Sequence, residues 1–526
     1  MNPLFKSKYI ISCIVIGILA FALTACSSSS IQSSAITTYN ATASANCKIG
    51  PMRPAIKAGY PIGPLKGTRR WMVDQNGAVV ILHGVNVVAK NKPYYPCSFN
   101  FNGQDAVWLN TNGLDVVRLG VLPSGEMPTK GRISQNYINH LISTVNTLTS
   151  QHIFVLLDWH QDDYGRYFNE KGTSFRADGM PTWMTITNGK QNKQTNFPFD
   201  YINDPALQQA FQSFWDNSKI KHGLGIQEYY FEMLQAVAQR VVNNPWVLGY
   251  EILNEPWPGN SWKQCLIGKD ACPTLDKTEL DPFYAKAIAA IRKVDPSHLI
   301  FMEPFVLFNF GTPTSVAIPT GAKNVGLSFH QYTQSQIGVD NVFSNALKWT
   351  QTHNGPLLNT EFSSINDNAT TIGMETSAAN NYLMSWTYWV FNNCNIACSP
   401  AAGTNVLLNS QNPPIGANID TPVVNELVQP YPLVTAGTPV SLTYDAASHV
   451  LNYQWSSAKA ASNGHFANGA TTTILTPKLD FPSGYSVTAV GAKVISNACS
   501  TVLILHQTQV SAHITVTVTP GSTCKN

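Results

Sequence analysis

Between about Gly77 and Asn393, short apolar runs alternate with longer segments of helical period. That alternation restricts the chain to βα units around a parallel sheet. The apolar runs are Val79–His83, Val116–Leu119, Ile153–Asp158, Val247–Leu253, Leu299–Glu303, Val325–His330, Pro356–Thr360 and Ser385–Val390. They match in number the strands of a closed (β/α)₈ TIM barrel. Between them, Gln227 to Asn243 sets Tyr230, Leu234, Val237 and Val241 on one helical face before Asn243-Asn244-Pro245 stops it. Ser134 to Leu148, with Ser134 as N-cap, and Pro282 to Val294 read the same way. The connection from His160 to about Asp204 is long for a plain linker and is expected to shape a cleft at the C-terminal face of the barrel.

Beyond about Val428 the helical period stops. Short alternating runs, Pro439–Tyr444, Gly484–Val490, Val502–His506 and Ala512–Val518, predict a small β-sandwich. The expected organisation is a barrel over 47–427 and a sandwich over 428–526. Ahead of them, Lys6 and Lys8 precede an apolar run from Ile10 to Leu23 that ends in Leu23-Thr24-Ala25-Cys26. Residues 1–25 read as a signal peptide, and the small residue before Cys26 resembles a bacterial lipobox, in which Cys26 is lipidated. Residues 26–46, rich in Ser, Thr and Ala, read as a tether. An exported lipoprotein of the cell envelope, outer membrane or cell surface, retained or released, is the expected form.

In an oxidising compartment the other even set of cysteines favours disulfides. Sequence proximity pairs Cys265 with Cys272, Cys394 with Cys398 and Cys499 with Cys524, leaving Cys47 for Cys97. No histidine stands at zinc-ligand spacing beside them, so no metal is expected. Charged residues make up 12% of the chain and the formal net charge is +3, which leaves no basic stripe for nucleic acid.

The chemistry gathers at the ends of the strands, where barrels of this type place their sites. Two glutamates stand out, Glu255 in Leu253-Asn254-Glu255-Pro256 and Glu361 in Leu357-Leu358-Asn359-Thr360-Glu361-Phe362. Paired carboxylates on separate strands are what glycoside hydrolysis needs, one to protonate the leaving oxygen and one to attack or to activate water. Glu255 is expected to be the acid and later the base, and Glu361 the nucleophile. Asn254 would bond a sugar hydroxyl, Arg118 and Tyr332 would bond Glu361, and His160 and His330 would bind hydroxyls or tune Glu255. Trp389 would floor a sugar ring. Glu303, which also ends a strand, is expected to be structural. The run Phe305–Phe310 is read either as core under the barrel rim or as a wall for a lipid aglycone.

This ordered set resembles glycoside hydrolase family 5. In that family the acid/base follows the fourth strand in Asn-Glu-Pro and the nucleophile follows the seventh. Asn254-Glu255-Pro256, His330-Gln331-Tyr332, Thr360-Glu361-Phe362 and Trp386-Thr387-Tyr388-Trp389 fall in the family order. Within the family the chain resembles endoglycoceramidases and related glycosylceramidases. The carriers are Leu82-His83-Gly84-Val85-Asn86 with Lys90, Asp158-Trp159-His160-Gln161-Asp162, Gly179-Met180-Pro181-Thr182-Trp183, Phe214-Trp215, and Tyr431-Pro432 ahead of Ala436-Gly437-Thr438-Pro439. The resemblance implies that Lys90 and Asp162 join His160 at the first sugar. The sequence departs from it at Trp159, where Met is expected, and at Pro123, where an aromatic is expected. It implies a retaining β-glycosidase acting on a glycolipid; the Cys26 anchor would bring it to a membrane surface, and a monomer without a cofactor is expected. A family 5 endoglucanase or mannanase is the enzyme alternative, and a non-catalytic carbohydrate-binding lipoprotein the alternative from another class.

Overall fold

A computed structural model describes residues 57–169, 178–193, 197–266, 272–364, 368–392 and 405–521. The signal peptide, Cys26, the tether, Cys47, Cys394, Cys398 and Cys524 lie outside the described residues.

The first strands of the described residues are three short antiparallel ones, β1 (Lys66–Thr68), β2 (Trp71–Val73) and β3 (Val79–Val80). The barrel follows: β4 (His83–Val87), β5 (Val116–Val121), β6 (Phe154–Trp159), β7 (Val247–Glu251), β8 (Leu299–Met302), β9 (Val325–Gln331), β10 (Leu357–Phe362) and β11 (Trp386–Tyr388). Every neighbour is parallel, and β11 closes onto β4 with Trp386 opposite His83. All residues of these strands are buried. Burial on both faces is why each reads in the sequence as a continuous apolar run.

The first barrel strand differs from expectation. Val79–Val80 belongs to another sheet, and the barrel strand starts at His83, where the expected strand ended. Residues 78–90 are all buried as the chain passes from one core to the other, so apolarity marks no boundary there. Asn86 sits inside β4, and its amide donates to the Thr360 carbonyl at 2.9 Å.

The outer helices match their sequence signals. Gln135–Ser150 is capped by Ser134, whose Oγ accepts from the Tyr137 N–H at 3.2 Å. Ile226–Val241 buries Tyr230, Leu234, Val237 and Val241. Asp281–Arg292 is entered through a π-helical turn, Asp276–Leu280.

The second module contains β12 (Tyr431–Thr435), β13 (Thr438–Asp445), β14 (Val450–Ser456), β15 (Thr471–Leu475), β16 (Tyr485–Val490), β17 (Ala492–Val494), β18 (Val502–Gln507) and β19 (Ile514–Pro520). They form a four-stranded sheet, β13-β14-β19-β16, and a seven-stranded sheet, β1-β2-β3-β12-β15-β18-β17. The sandwich therefore recruits β1–β3 from ahead of the barrel, and a barrel unit starting at residue 47 does not describe the fold. Val116, Phe154, Leu248, Leu299 and Leu358, at the starts of barrel strands, share one core with Leu433, Leu451, Trp455, Ile474 and Leu503. The sandwich thus covers the N-terminal mouth of the barrel and leaves the opposite mouth for the site. The chain enters on the covered side, where Tyr60 lies 5.7 Å from the His152 ring and 6.2 Å from Trp246.

Cys265 and Cys272 form a disulfide, and Cys97 and Cys499 are each disulfide-bonded, to cysteines outside the described residues. No helix among the described residues is long and apolar enough to cross a membrane.

Candidate active site

The open mouth of the barrel is organised by Arg118 on β5, which is wholly buried. Its Nη1 donates to Glu361 Oε1 at 2.5 Å and to Asn86 Oδ1 at 3.0 Å, and its Nη2 donates to Asn254 Oδ1 at 2.6 Å. Nη2 also lies 3.1 Å from Asp158 Oδ1, and Nε pairs with Glu251. A buried guanidinium is tolerated only when its donors are matched, and here three carboxylates face it.

Glu361 accepts a second hydrogen bond, on Oε2, from the Tyr332 hydroxyl at 2.8 Å. A local irregularity in β10 turns it toward these donors. Asn359 pairs with Phe329 and Glu361 with His330, so Thr360 is an extra residue in the ladder. The Thr360 hydroxyl is held by Glu251 Oε1 at 2.8 Å.

Glu255 follows β7 in the left-handed region, with φ of 42°. For a residue with a Cβ this costs on the order of 1–3 kcal/mol. The surroundings hold it there: its N–H donates to Glu303 Oε2 at 3.0 Å, and its carbonyl accepts from Gln161 Nε2 at 3.0 Å. The Glu255 carboxyl accepts from Asn309 Nδ2 at 2.7 Å and lies 2.8 Å from His330 Nδ1. Burial, reinforced by the negative charge of Asp162, pushes its pKa up to about 7, against the opposing pull of His160, Lys90 and Arg118. Burial also pushes His330 down to about 4, so its imidazole is neutral at neutral pH. A carboxylate oxygen of Glu255 and one of Glu361 lie within 4.8 Å of one another.

Beside this pair lies a polar wall. Lys90 pairs with Asp162, stands 3.8 Å from Asp178 and lies 4.7 Å from the centre of the Trp389 ring. His160 is stacked on Trp389 at 5.4 Å with 7° between the planes, and its Nδ1 is 2.7 Å from Asp158 Oδ2. Burial opposes a charge on His160, but the Asp158 carboxylate overrides it and raises the pKa to about 10. The wall therefore presents an imidazolium, an ammonium and an indole. Among the described residues, three groups of acids and histidines come close enough to hold a cation: His160, Asp162 and Asp178; Glu251, Glu303 and His330; and Glu255, His330 and Glu361. In the first, the ammonium of Lys90 already takes the cation's place. In the second, Arg118 already binds Glu251, and in the third it binds Glu361.

The structure brings all ten expected site residues together. Asn254 is more constrained than its motif suggests, since Oδ1 is taken by Arg118 and Nδ2 donates to the Gln161 carbonyl at 2.9 Å, leaving one N–H for a ligand. Glu303 is scaffolding for Glu255 and lies 3.4 Å from His330 Nε2. Asn86 and Gln161 stand in motifs quoted above but have no role assigned there, and Asp178, Glu251 and Asn309 carry no sequence signal, because each acts through main-chain geometry or distant partners that spacing does not reveal.

The segment Phe305–Phe310 divides between its two expected readings, core and surface wall. Phe308 is buried and packs against Phe329 at 5.7 Å, Phe305 is buried as well, and only Phe310 is exposed, at 38%. The six-residue apolar wall reduces at the surface to Phe310 with half-buried Val306 and Leu307. Trp159 is also core, its indole donating to Glu126 Oε2 at 3.1 Å. Pro123 is buried at the start of a short helix, Pro123–Glu126.

Residues 73–395 match the family described as cellulase (glycosyl hydrolase family 5), and residues 429–518 match the glycoside hydrolase family 5 C-terminal domain. The chain is 30% identical to endoglycoceramidase I of Rhodococcus hoagii over 83% of its own length and 84% of that protein's. It is 26% identical to an endoglycoceramidase of Hydra vulgaris, covering 79% of this chain and 80% of the other. Its fold is that of endo-glycoceramidase II from Rhodococcus sp., solved as a lactosyl-enzyme intermediate, with a TM-score of 0.70, 23% identity, and coverage of 86% of this chain and 100% of that one.

Proposed function

This chain belongs to glycoside hydrolase family 5, and from that premise we propose that it is a retaining β-glycosidase cleaving the bond between a sugar or oligosaccharide and a lipid aglycone of the glycosphingolipid type. The observation that carries the chemistry is the contrast between two carboxyls within 4.8 Å of one another. Retaining enzymes hold their carboxyl groups about 5–5.5 Å apart, whereas inverting enzymes leave a wider gap for water. Glu361, fixed by Arg118 and Tyr332, attacks the anomeric carbon while the bond to the leaving oxygen breaks. Glu255, whose raised pKa keeps its proton near neutrality, gives that proton to the departing oxygen. In the second step Glu255 takes a proton from water, the water oxygen joins the anomeric carbon, and Glu361 is released. The nonpolar face of the sugar rests on Trp389, and Lys90, Asp162 and His160 bind its hydroxyls.

The lipid class is supported by the similarity to endoglycoceramidases over most of both chains. A panel of glucosylceramide, a ganglioside, a steryl glucoside and a soluble cello-oligosaccharide tests it. Release of ceramide at the highest kcat/KM is the expected result, and preference for the cello-oligosaccharide would overturn the substrate class while leaving the catalytic pair intact. The lipobox-like Cys26 supports a further element of the reading, a lipid anchor that brings the enzyme to a membrane in the cell envelope.

A further inference from the structure

Asn309 lies in the short helical turn Val306–Phe310 that follows β8, and the turn ends at Gly311 with φ of 96°. The residue is 1% exposed. Its Nδ2 donates to Glu255 Oε1 at 2.7 Å, and its own carbonyl accepts the Tyr332 N–H at 3.2 Å. Tyr332 in turn donates its hydroxyl to Glu361 Oε2 at 2.8 Å. One residue from a strand that carries neither carboxylate thus touches the first with its side chain and steadies the partner of the second with its main chain. Asn309 Oδ1 is buried without a hydrogen-bond partner among the described residues. Buried acceptors are seldom left unpaired, and an orphan next to a titrating carboxyl points to a second state in which it is used.

We propose that Asn309 is a positioning residue for both steps of the reaction, its side chain holding the Glu255 carboxyl toward the leaving-group oxygen in the first step and toward the attacking water in the second. This rests on the assignment of Glu255 and Glu361 above. When Glu255 is ionised, Nδ2 donates to it, as observed. When Glu255 carries its proton, rotation of the same amide by half a turn offers Oδ1 as the acceptor, so one side chain partners the carboxyl before and after proton transfer. The other charged and titratable groups near Glu255 include His330 from β9, Glu303 after β8, Glu361 from β10, and the hydroxyls of Tyr332 after β9 and Tyr201 from the segment after β6. Asp162 and His160 after β6, Lys90 after β4 and Arg118 on β5 act on it through their charges. Asn309 does not titrate, and its N–H favours the ionised carboxyl.

The test uses the full-length protein with Asn309→Ala and the near-isosteric Asn309→Asp, a glycolipid, and an aryl β-glycoside whose phenol leaves without acid assistance. With the donor removed in Asn309→Ala, the alkaline limb of kcat/KM for the glycolipid should move up by about one pH unit. Asn309→Asp, which sets a second carboxylate against Glu255, should move it further in the same direction. On the aryl glycoside, the kcat of either variant should fall roughly tenfold with a burst of phenol, because water attack then lacks a well-placed base. The kcat/KM for that substrate should stay within about twofold. An unmoved alkaline limb, or equal loss of kcat/KM on both substrates in the variant that folds, would overturn the proposal and make Asn309 a packing residue. Failure of the catalytic assignment is read separately: Glu255→Ala would then lose activity equally on good and poor leaving groups and show no rescue by azide.

Discussion

Glu255 and Glu361 are chemically identical side chains set apart by what surrounds them. Glu361→Gln should abolish turnover of every substrate, since no other group is placed to bond the anomeric carbon. Glu255→Ala should keep substantial activity on aryl glycosides with good leaving groups while losing roughly 10²–10⁴-fold on a glycolipid, measured as kcat/KM. With the Glu255 pKa near 7, wild-type kcat/KM on the glycolipid should fall above about that pH. The same shift has a cost in stability. A carboxyl whose folded-state pKa is raised contributes stability that is full below its ordinary value and lost as pH rises through about 7. Glu255→Gln stays neutral throughout, so it should stabilise the protein by roughly 1–3 kcal/mol at pH 8 and by much less at pH 5, read as a difference in Tm between the two pH values. A gain of equal size at both would exclude burial of the charge as the cause.

At the scale of elements, the strand ends were legible because a barrel with both faces of its strands buried leaves long apolar runs with polar residues just beyond them. The supports were not. The extra residue at Thr360, which aims Glu361, leaves no mark in Leu357–Phe362, and the left-handed backbone of Glu255 is set by Glu303 and Gln161, both distant in sequence. The segment after β8 is ambiguous for a related reason. Its apolar composition fits either core or a lipid wall, and a helical turn divides it, with Phe308 in the core, Asn309 on Glu255 and Phe310 outside. Phe308→Ala should therefore destabilise the fold by about 3–5 kcal/mol and reduce activity on all substrates alike. Phe310→Ser should leave Tm nearly unchanged and lower kcat/KM for a glycolipid more than for a small aryl glycoside. Equal losses from Phe310→Ser would remove Phe310 from lipid binding.

The whole molecule is less divisible than its sequence suggests. The change of pattern near Val428 is visible, but nothing in residues 66–80 announces that they pair with a strand at Tyr431–Thr435. Because β3 pairs with β12 and the sandwich covers the barrel's N-terminal mouth, a chain ending at residue 427 would expose Val79, Val80, Leu248 and Leu299 to water. Such a truncation should be insoluble or unfolded, and a soluble, active product would show that the barrel folds alone. Replacing Cys26 with serine should instead release the protein from membrane fractions with unchanged specific activity on a soluble substrate. Retention in the membrane fraction would exclude Cys26 as the anchor.

Lys57, where the described chain begins, lies on the covered side of the barrel, its ammonium 3.3 Å from Asn110 Oδ1. The catalytic mouth opens at the other end. A tether leaving the fold at this point would hold the enzyme by its back, whereas one pinned by the expected Cys47–Cys97 bond, on the segment that follows β4, would hold it by the catalytic side. Residues 27–56 could span at most ~100 Å fully extended, enough for the body either to roll over onto its own membrane or to work on a facing one. Shortening that leash should penalise the first mode and spare the second. Turnover of glycolipid in the same vesicle against glycolipid in a separate vesicle would then reveal which surface the enzyme grazes.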